Sequence, residues 1–278
     1  MSGIRLFAPV AAVVVLVVGA CTGDTGDRSA GSASPTAAVA EASPGETTCP
    51  TEGEPFDGDT KLYIEHNATD EDTGVHGSFG HEGLAEACIR TPDGAEILLV
   101  GPEGSLGDLG INEFLFESRE PPADEYAIED LQADFPEGEY QVGGVDHEGT
   151  ARLGTALFTH DIPAPPTITV PPLAEEEEAS SSVLPATGLV VRWEPVTETL
   201  EGADVSITGY EVIVTQAEHE DPHGQSRPEY DVHLPPDRTE LAVPDGFLEP
   251  DTVYELEVLA LEESGNQTIS LGFFTTAG

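Results

Sequence analysis

Residues 248–256 read Leu-Glu-Pro-Asp-Thr-Val-Tyr-Glu-Leu, and two stretches before them alternate apolar and polar side chains. The two stretches are residues 189–193, which end in a tryptophan, and residues 207–214. Alternation with a period of two is typical of a β-strand with one buried face. Both stretches are therefore predicted to be strands, and the tryptophan is predicted to face inward. Residues 269–276 follow as a further strand candidate.

These strands resemble a fibronectin type III domain over residues 163–278. The resemblance depends on the Trp193 strand, the second alternating strand and the Leu-x-Pro-x-Thr-x-Tyr corner that ends at Tyr254, in that order. It implies a β-sandwich in which the Tyr254 hydroxyl turns back onto the chain and fixes the corner. The chain departs from the family pattern by an insertion at residues 174–187 and a long loop at residues 217–228. It contains no Arg-Gly-Asp, so there is no case for integrin-type binding.

The segment before this region contains short strand candidates separated by Gly, Pro and Asp clusters, which is typical of a β-rich domain. The candidates are residues 61–66, 87–90, 96–100, 113–117, 140–145 and 152–160. Residues 124–133 are predicted to form a helix that Asp124 caps. The turn Phe135-Pro136-Glu137-Gly138-Glu139-Tyr140 resembles an element of extracellular β-sandwich modules in which the tyrosine packs under the turn. The segment as a whole is similar to uncharacterised bacterial secreted β-rich proteins, and that resemblance implies no activity.

The N-terminus has the pattern of an export signal. Arg5 supplies a positive charge, residues 6–18 form an apolar run, and Val18-Gly19-Ala20-Cys21 resembles the bacterial lipobox. The apolar run has the length of the hydrophobic region of a signal peptide and is too short for a comfortable transmembrane helix. The resemblance implies cleavage before Cys21 and attachment of lipid to its sulfur. An uncleaved signal anchor and a secreted form without lipid are the alternatives.

The predicted organisation is a signal peptide, a flexible tether, and two folded domains. The tether is rich in Gly, Ser, Ala, Thr and Pro and cannot bury a core. The fold class predicted for the chain is all-β, with two β-sandwich-like domains in tandem. The predicted boundaries are 1–20 for the signal peptide, 21–48 for the tether, 49–162 for a disulfide-pinned β-rich domain and 163–278 for the fibronectin type III domain.

The chain is strongly acidic, with 54 Asp and Glu against nine Lys and Arg. Loss of Arg5 with the signal peptide changes the formal net charge from −45 to −46. Phosphate binding needs clustered basic side chains, so the charge argues strongly against nucleic acid and anionic lipid as partners. This composition resembles that of proteins from salt-adapted organisms, in which salt screens the self-repulsion. Binding of divalent cations by some of the carboxylates is the alternative.

The chain contains three cysteines, and lipid attachment at Cys21 leaves Cys49 and Cys88 as a pair in an oxidising compartment. A disulfide between them is therefore predicted. It would close a loop across 39 positions and contribute about 4 kcal/mol in the chain-entropy model. Two isolated cysteines lack the paired spacing of a metal site.

One acidic turn is a candidate calcium site. Asp70, Asp72 and Gly74 have the spacing of the start of a calcium loop, in which alternate carboxylates converge on the ion. An EF-hand is excluded, because the position of the bidentate Glu is occupied by His81. A solvated acidic turn without an ion is the alternative and is favoured. No cofactor other than Ca²⁺ at this turn is expected.

Three histidines that lie near one another in the sequence are candidate zinc ligands. His66, His76 and His81 have spacings that match no compact zinc motif, so surface histidines are favoured over a site. His219 and His223 are four apart, but Pro222 breaks any helix that would bring them together, and they are predicted to be loop residues.

No motif supports an enzyme. Gly77-Ser78-Phe79-Gly80 lacks the spacing of a nucleophile elbow, and Gly101-Pro102-Glu103-Gly104 lacks the lysine of a phosphate loop. The predicted function is a non-catalytic binding or scaffold protein at the cell envelope, lipid-anchored and facing outward, with an unidentified envelope or extracellular protein or glycan as partner. A calcium-dependent adhesion module and an accessory module of a polysaccharide-processing system are the alternatives.

Overall fold

The computed structural model describes residues 49–175, 177, 182–219 and 227–278. The predicted signal peptide, the tether and Cys21 lie outside the described residues, as do His223 and most of the acidic and serine-rich run that begins at residue 175. The residues from 49 onward belong to one compact unit. No helix in the described ranges has both the length and the apolar character needed to cross a membrane.

The unit is nearly all β. Two short helices occur among its described residues: α1, Gly104–Leu109, and α2, Ile128–Asp134. The strands in chain order are β1 Glu54–Pro55, β2 Thr60–Asn67, β3 Asp72–Arg90, β4 Glu96–Val100, β5 Ile111–Glu117, β6 Gly138–Asp146, β7 Ala151–Phe158, β8 Ile168–Val170, β9 Val183–Leu184, β10 Val190–Trp193, β11 Ile207–Gln216, β12 Glu229–Leu234, β13 Glu240–Ala242, β14 Val253–Glu262 and β15 Gln267–Thr276. The all-β fold class predicted from the sequence is confirmed.

The long strand β3 organises the N-terminal half. Its first part pairs with β2 and β5, and its second part pairs with β4 and β6. The register shifts between Gly80 and Leu84, so one strand turns a corner and belongs to two layers. The core between the layers contains Ile64, Phe79 and Tyr140. Tyr140 is fully buried and its hydroxyl donates to the carbonyl of Pro136 at 3.0 Å, which confirms the predicted packing of a tyrosine under the turn.

The structure confirms the predicted disulfide but not the predicted bounds of the helix. Cys49 and Cys88 are joined, which confirms the predicted bridge and fixes the start of the described chain to β3. The predicted helix boundaries were wrong, because α2 begins at Ile128 and its N-cap is Ala127, which makes no side-chain cap. Asp124 lies before the helix and does not cap it. Residues 122–127 form turns that lead into the helix, in which Leu131 is buried.

The C-terminal half is a sandwich of two sheets. Strands β8, β10 and β13 form a three-stranded sheet that faces β15, β14, β11 and β12. Trp193, Tyr210 and Tyr254 are buried between the sheets. The Tyr254 hydroxyl accepts the backbone N–H of Glu249 at 2.7 Å, as the corner predicts. This is a fibronectin type III-like fold, and the proline-rich stretch enters it as the edge strand β8.

The two halves share a sheet. β15 pairs in parallel with β2, with Gln267 opposite Glu65, so one sheet runs through β1, β7, β6, β3, β2, β15, β14, β11 and β12 in that order. Each half keeps its own buried apolar cluster. The boundary at residue 163 stays a prediction, since Leu200 donates its N–H to the carbonyl of Ile162 and further hydrogen bonds join the halves there.

A candidate site on the outer face of the shared sheet

The shared sheet has one face directed away from both apolar cores, and that face forms a groove. Side chains alternate along each strand, so burial of Leu62, Val212 and Val258 places their neighbours on the outer face. The groove has a volume of about 690 Å³ and spans both halves. Its lining includes Tyr63, Glu65, Leu115, Glu211, Ile213, His233, Glu257, Leu259, Leu261, Gln267 and Ile269. The outer face therefore combines carboxylates with an apolar floor.

Beside Glu65, which lines the groove, three elements bring a histidine and two glutamates together. His76 lies on β3, Glu65 on β2, and Glu120 in the loop after β5. The His76 Nε2 lies 2.9 Å from Glu120 Oε1 and 3.9 Å from Glu65 Oε1. One ligand atom from each residue lies within 4.8 Å of the others. We call these three residues the Glu65–His76–Glu120 cluster.

Local structure holds each member of the cluster in place. Ser118 accepts the N–H of Val75 at 2.9 Å and donates its own N–H to the Val75 carbonyl at 2.9 Å, so the loop that carries Glu120 is fixed to β3. Gly74 makes room for Glu120, since a Cβ at position 74 would lie 2.7 Å from the Glu120 Cγ and Oε1. The Gln267 side chain donates to Glu65 Oε2 across the junction of the two halves.

The cluster is partly withdrawn from water. Burial raises the pKa of Glu65, and the charge on Glu120 adds to the rise, although His76 opposes it. Burial alone would lower the pKa of His76, but the hydrogen bond to Glu120 and the charge on Glu65 raise it above its ordinary value. The His76 imidazole therefore lies between two carboxylates, and its single positive charge when protonated can neutralise only one of them.

The same face carries a second set of titratable groups. His233 Nε2 lies 3.1 Å from Glu211 Oε1, and Asp231 completes a group whose ligand atoms lie within 4.8 Å of one another. Burial, with the charge on Asp231, raises the pKa of Glu211 to about 7. On the neighbouring strand, burial raises the pKa of Glu257 to about 8, with the charge on Glu255 as the next contribution.

The predicted calcium ligands lie in the turn between β2 and β3. Asp70 accepts a hydrogen bond from Asn67 Nδ2 at 3.0 Å, and Asp72 begins β3. Asp72 Oδ1 is buried and has no hydrogen-bond partner among the described residues. Burial raises the pKa of Asp72 to about 6, with the charges on Glu120 and Asp70 adding to it. Neither aspartate belongs to a described group of three or more close ligand atoms, and calcium binding by them stays a prediction.

The three candidate zinc histidines each contact different groups. His66 Nδ1 lies 2.9 Å from Thr73 Oγ1, and it faces the opposite side of β2 from Glu65. His81 is buried, with its Nδ1 3.0 Å from Asp57 Oδ2. A site that joins His66, His76 and His81 is therefore not formed, and two of the three are buried, contrary to the expectation of surface histidines.

Sequence reasoning selected His76 but not its partners. Glu120 lies 44 positions along the chain and Glu65 lies on a different strand. In a chain with 54 carboxylates, no local signal distinguishes these two. The one available signal was the strand alternation, which places Tyr63 and Glu65 on the outer face of β2.

The chain is similar in strand arrangement to solved fibronectin type III structures. The fn3 domain of human collagen alpha-1(XX) chain is 21% identical, with 43% of this chain and 90% of that domain covered and a TM-score of 0.29. A two-domain segment from chicken tenascin is 10% identical, with 78% and 99% covered and a TM-score of 0.29. The FN1–FN3 domains of chicken CNTN1 are 15% identical, with 82% and 67% covered and a TM-score of 0.30.

No protein-family model and no curated protein match the sequence. The TM-scores are low, so the fold assignment depends on strand order and pairing within the chain.

Proposed function

We propose that the chain is a non-catalytic binding or scaffold protein of the cell envelope, held to a membrane through lipid on Cys21 and binding its partner along the groove. The observation that carries the proposal is the shared sheet, because it joins two sandwiches into one surface with a groove of about 690 Å³. Groove residues from both halves can then contact one partner at once. The chain's similarity in fold class to fibronectin type III modules is consistent with this role.

The groove indicates what kind of partner fits. Leu115, Ile213 and Leu259 offer apolar contact area, while Glu65, Glu211 and Glu257 surround it with carboxylates. A partner segment with both apolar and basic side chains is complementary to that surface. Anionic polymers are excluded by the same charges.

Site-specific photo-crosslinking tests the binding surface. A crosslinking residue at Leu115, which is 74% exposed and lines the groove, is compared with one at Leu157, which is 56% exposed on β7 and does not line it. In cells that export the full-length chain, position 115 is expected to capture a defined partner that position 157 does not. Equal products from both positions, or none from 115, would contradict the proposal.

Lipid attachment has its own test. The full-length chain is expected to enter the detergent phase on phase separation, and Cys21→Ser is expected to remain in the aqueous phase. Mass spectrometry of the N-terminal peptide identifies the modification. A Cys21→Ser chain that partitions like the wild type would contradict anchoring through this residue.

A calcium-dependent adhesion module is the second candidate. The observation that favours it is the buried Asp72 Oδ1, which has no hydrogen-bond partner within the described ranges and lies next to the acidic turn at Asp70. Thermal melts with CaCl₂, MgCl₂ and NaCl at matched ionic strength test it. A rise with calcium alone that Asp72→Ala abolishes supports the candidate, and equal rises with all three salts reject it. The accessory module of a polysaccharide-processing system is disfavoured, because Trp193, the single tryptophan that could stack on a sugar ring, is only 3% exposed.

A further inference from the structure

We propose that the Glu65–His76–Glu120 cluster binds one divalent transition-metal ion of the Zn²⁺ class. The inference concerns a different ligand from the groove's partner and does not depend on that partner. It rests on three observations: the donor set, the spacing of the donor atoms, and the lack of a compensating cation.

The donor set is mixed. An imidazole nitrogen and two carboxylate oxygens come from three different elements and meet at one point. Zinc binds histidine nitrogen and carboxylate oxygen readily, whereas Ca²⁺ and Mg²⁺ prefer shells made of oxygen alone. The histidine thus distinguishes this cluster from the many carboxylate pairs on an acidic chain.

The spacing fits a first coordination shell. Ligand atoms that each lie near 2.1 Å from a tetrahedral zinc ion are about 3.4 Å from one another. The His76 nitrogen is 2.9 Å from Glu120 and 3.9 Å from Glu65, on either side of that value. All three donor atoms lie within 4.8 Å of one another, so side-chain rotations are expected to bring them to one ion.

The negative charges of Glu65 and Glu120 are not compensated by a Lys or Arg side chain of the described residues. Among the described residues, no Lys or Arg forms an ion pair with Glu65 or Glu120, and Glu117 adds a further negative charge nearby. Next to Glu120, Asp72 presents a buried carboxylate oxygen with no hydrogen-bond partner in the part of the chain that the structure describes. A doubly charged ion would neutralise Glu65 and Glu120 together, which the His76 imidazole alone cannot do.

The surrounding contacts orient the ligands before an ion arrives. The Gln267 amide holds Glu65 Oε2, which leaves Oε1 directed to His76, and Ser118 fixes the loop of Glu120 to β3. Such outer contacts typically change metal affinity by 10- to 100-fold. Because Gln267 belongs to β15, an ion at the cluster would also strengthen the junction between the two halves.

Zinc titration of the metal-free full-length protein in detergent tests the inference. Calorimetry in high-salt buffer with excess Mg²⁺ and Ca²⁺ suppresses non-specific binding to the acidic surface. The Glu211–Asp231–His233 group has the same donor types, but its Asp231 and His233 are exposed, whereas all three members of the Glu65–His76–Glu120 cluster are half-buried. The wild type is therefore expected to bind one Zn²⁺ per chain tightly, at the cluster. His76→Gln and Glu120→Gln are each expected to weaken binding at least about tenfold. His233→Gln, which alters the other histidine–carboxylate contact on this face, is the matched control and is expected to bind as the wild type does.

A second readout identifies the ligand. Zinc is expected to shift the ring resonances of His76 in the NMR spectrum and to leave those of His233 unchanged. The inference is overturned if excess Mg²⁺ abolishes binding, if His76→Gln and Glu120→Gln bind like the wild type, or if His233→Gln alone loses the ion. Melts without metal establish that each variant is folded; Glu120 lies in a surface loop, so Glu120→Gln decides the matter if His76→Gln does not fold.

Discussion

The side-chain carbonyl of Asn266 accepts a hydrogen bond from the backbone N–H of Ile64 at 2.8 Å, although the two residues are 202 positions apart. The Asn266 amide donates to the carbonyl of Thr159 at 3.1 Å and to its hydroxyl at 3.0 Å. Asn266 is completely buried. One side chain of the C-terminal half thus satisfies backbone groups on two segments of the N-terminal half, beside the β2–β15 pairing.

Removal of this side chain is expected to weaken the junction. Asn266→Ala leaves the Ile64 N–H and the Thr159 carbonyl without their partner, and the expected loss in the free energy of unfolding is about 1–3 kcal/mol. Urea unfolding measures it. The control is Asn112→Ala, which removes a similar bond, from the Gly83 N–H at 3.1 Å, within one half. Its expected loss is no more than about 1 kcal/mol, and equal losses in the two variants would mean that Asn266 has no special role at the junction.

The tyrosine corner provides a second prediction. Tyr254→Phe removes the acceptor of the Glu249 N–H and of the Gln216 amide, which donates at 3.3 Å. The ring stays in place, so the expected loss of about 1–3 kcal/mol comes from the hydroxyl alone. In Tyr126→Phe the lost hydroxyl contacts the exposed Asp134, and the expected change is within about 0.5 kcal/mol. Thermal melts of both variants check the difference, and a Tyr254→Phe chain as stable as Tyr126→Phe would contradict it.

The disulfide is expected to stabilise the N-terminal half mainly through the unfolded chain. Closing a loop over 39 positions is worth about 4 kcal/mol in the entropy model. Replacement of both Cys49 and Cys88 by Ala should lower the free energy of unfolding by that order, measured by urea unfolding. A reductant should destabilise the wild type and leave the double variant unchanged. If the reductant affects both alike, its action does not go through this bond.

Much of the fold could be predicted from the sequence, because local sequence patterns specify many of its strands and turns. Residues 96–100 were predicted as a strand and form β4 with the same bounds, and the corner at Tyr254 formed as its motif implies. The first part of β3 was missed, because Asp72–Glu86 is rich in Gly and polar residues and is buried by partners on both sides. The β2–β15 pairing was also missed, since residues 202 positions apart leave no mark on either local pattern.

The candidate site was harder to predict from the sequence than the fold. His76 was singled out, but with the wrong partners, because the spacing of histidines along the chain does not show which loop folds over His76. Glu120 reaches His76 only because Gly74 has no Cβ and Ser118 fixes the loop. These are tertiary conditions, and each involves residues that are unremarkable by themselves.

The acidic groove gives the chain a dependence of stability on pH. Burial raises the pKa of Glu257 from 4.5 to about 8, with Glu255 as the next cause. Between these two values the folded chain binds more protons than the unfolded chain, so stability falls as pH rises. The contribution is fully present below pH 4.5 and is lost by about pH 8. Glu257→Gln removes this titration, and the variant is expected to gain roughly 1–2 kcal/mol at pH 9 after a discount for solvent screening.

A control is needed because loss of any negative charge relieves the self-repulsion of a chain with a net charge of −45. Glu139→Gln removes one charge from an exposed position on β6 and tests that general effect. Urea unfolding at pH 4 and pH 9 separates the two effects. At pH 4 Glu257 is protonated in the folded chain, so Glu257→Gln should match the wild type there and exceed both the wild type and Glu139→Gln at pH 9. Equal gains from the two substitutions at pH 9 would show that net charge, rather than burial of Glu257 in the groove, sets the pH dependence.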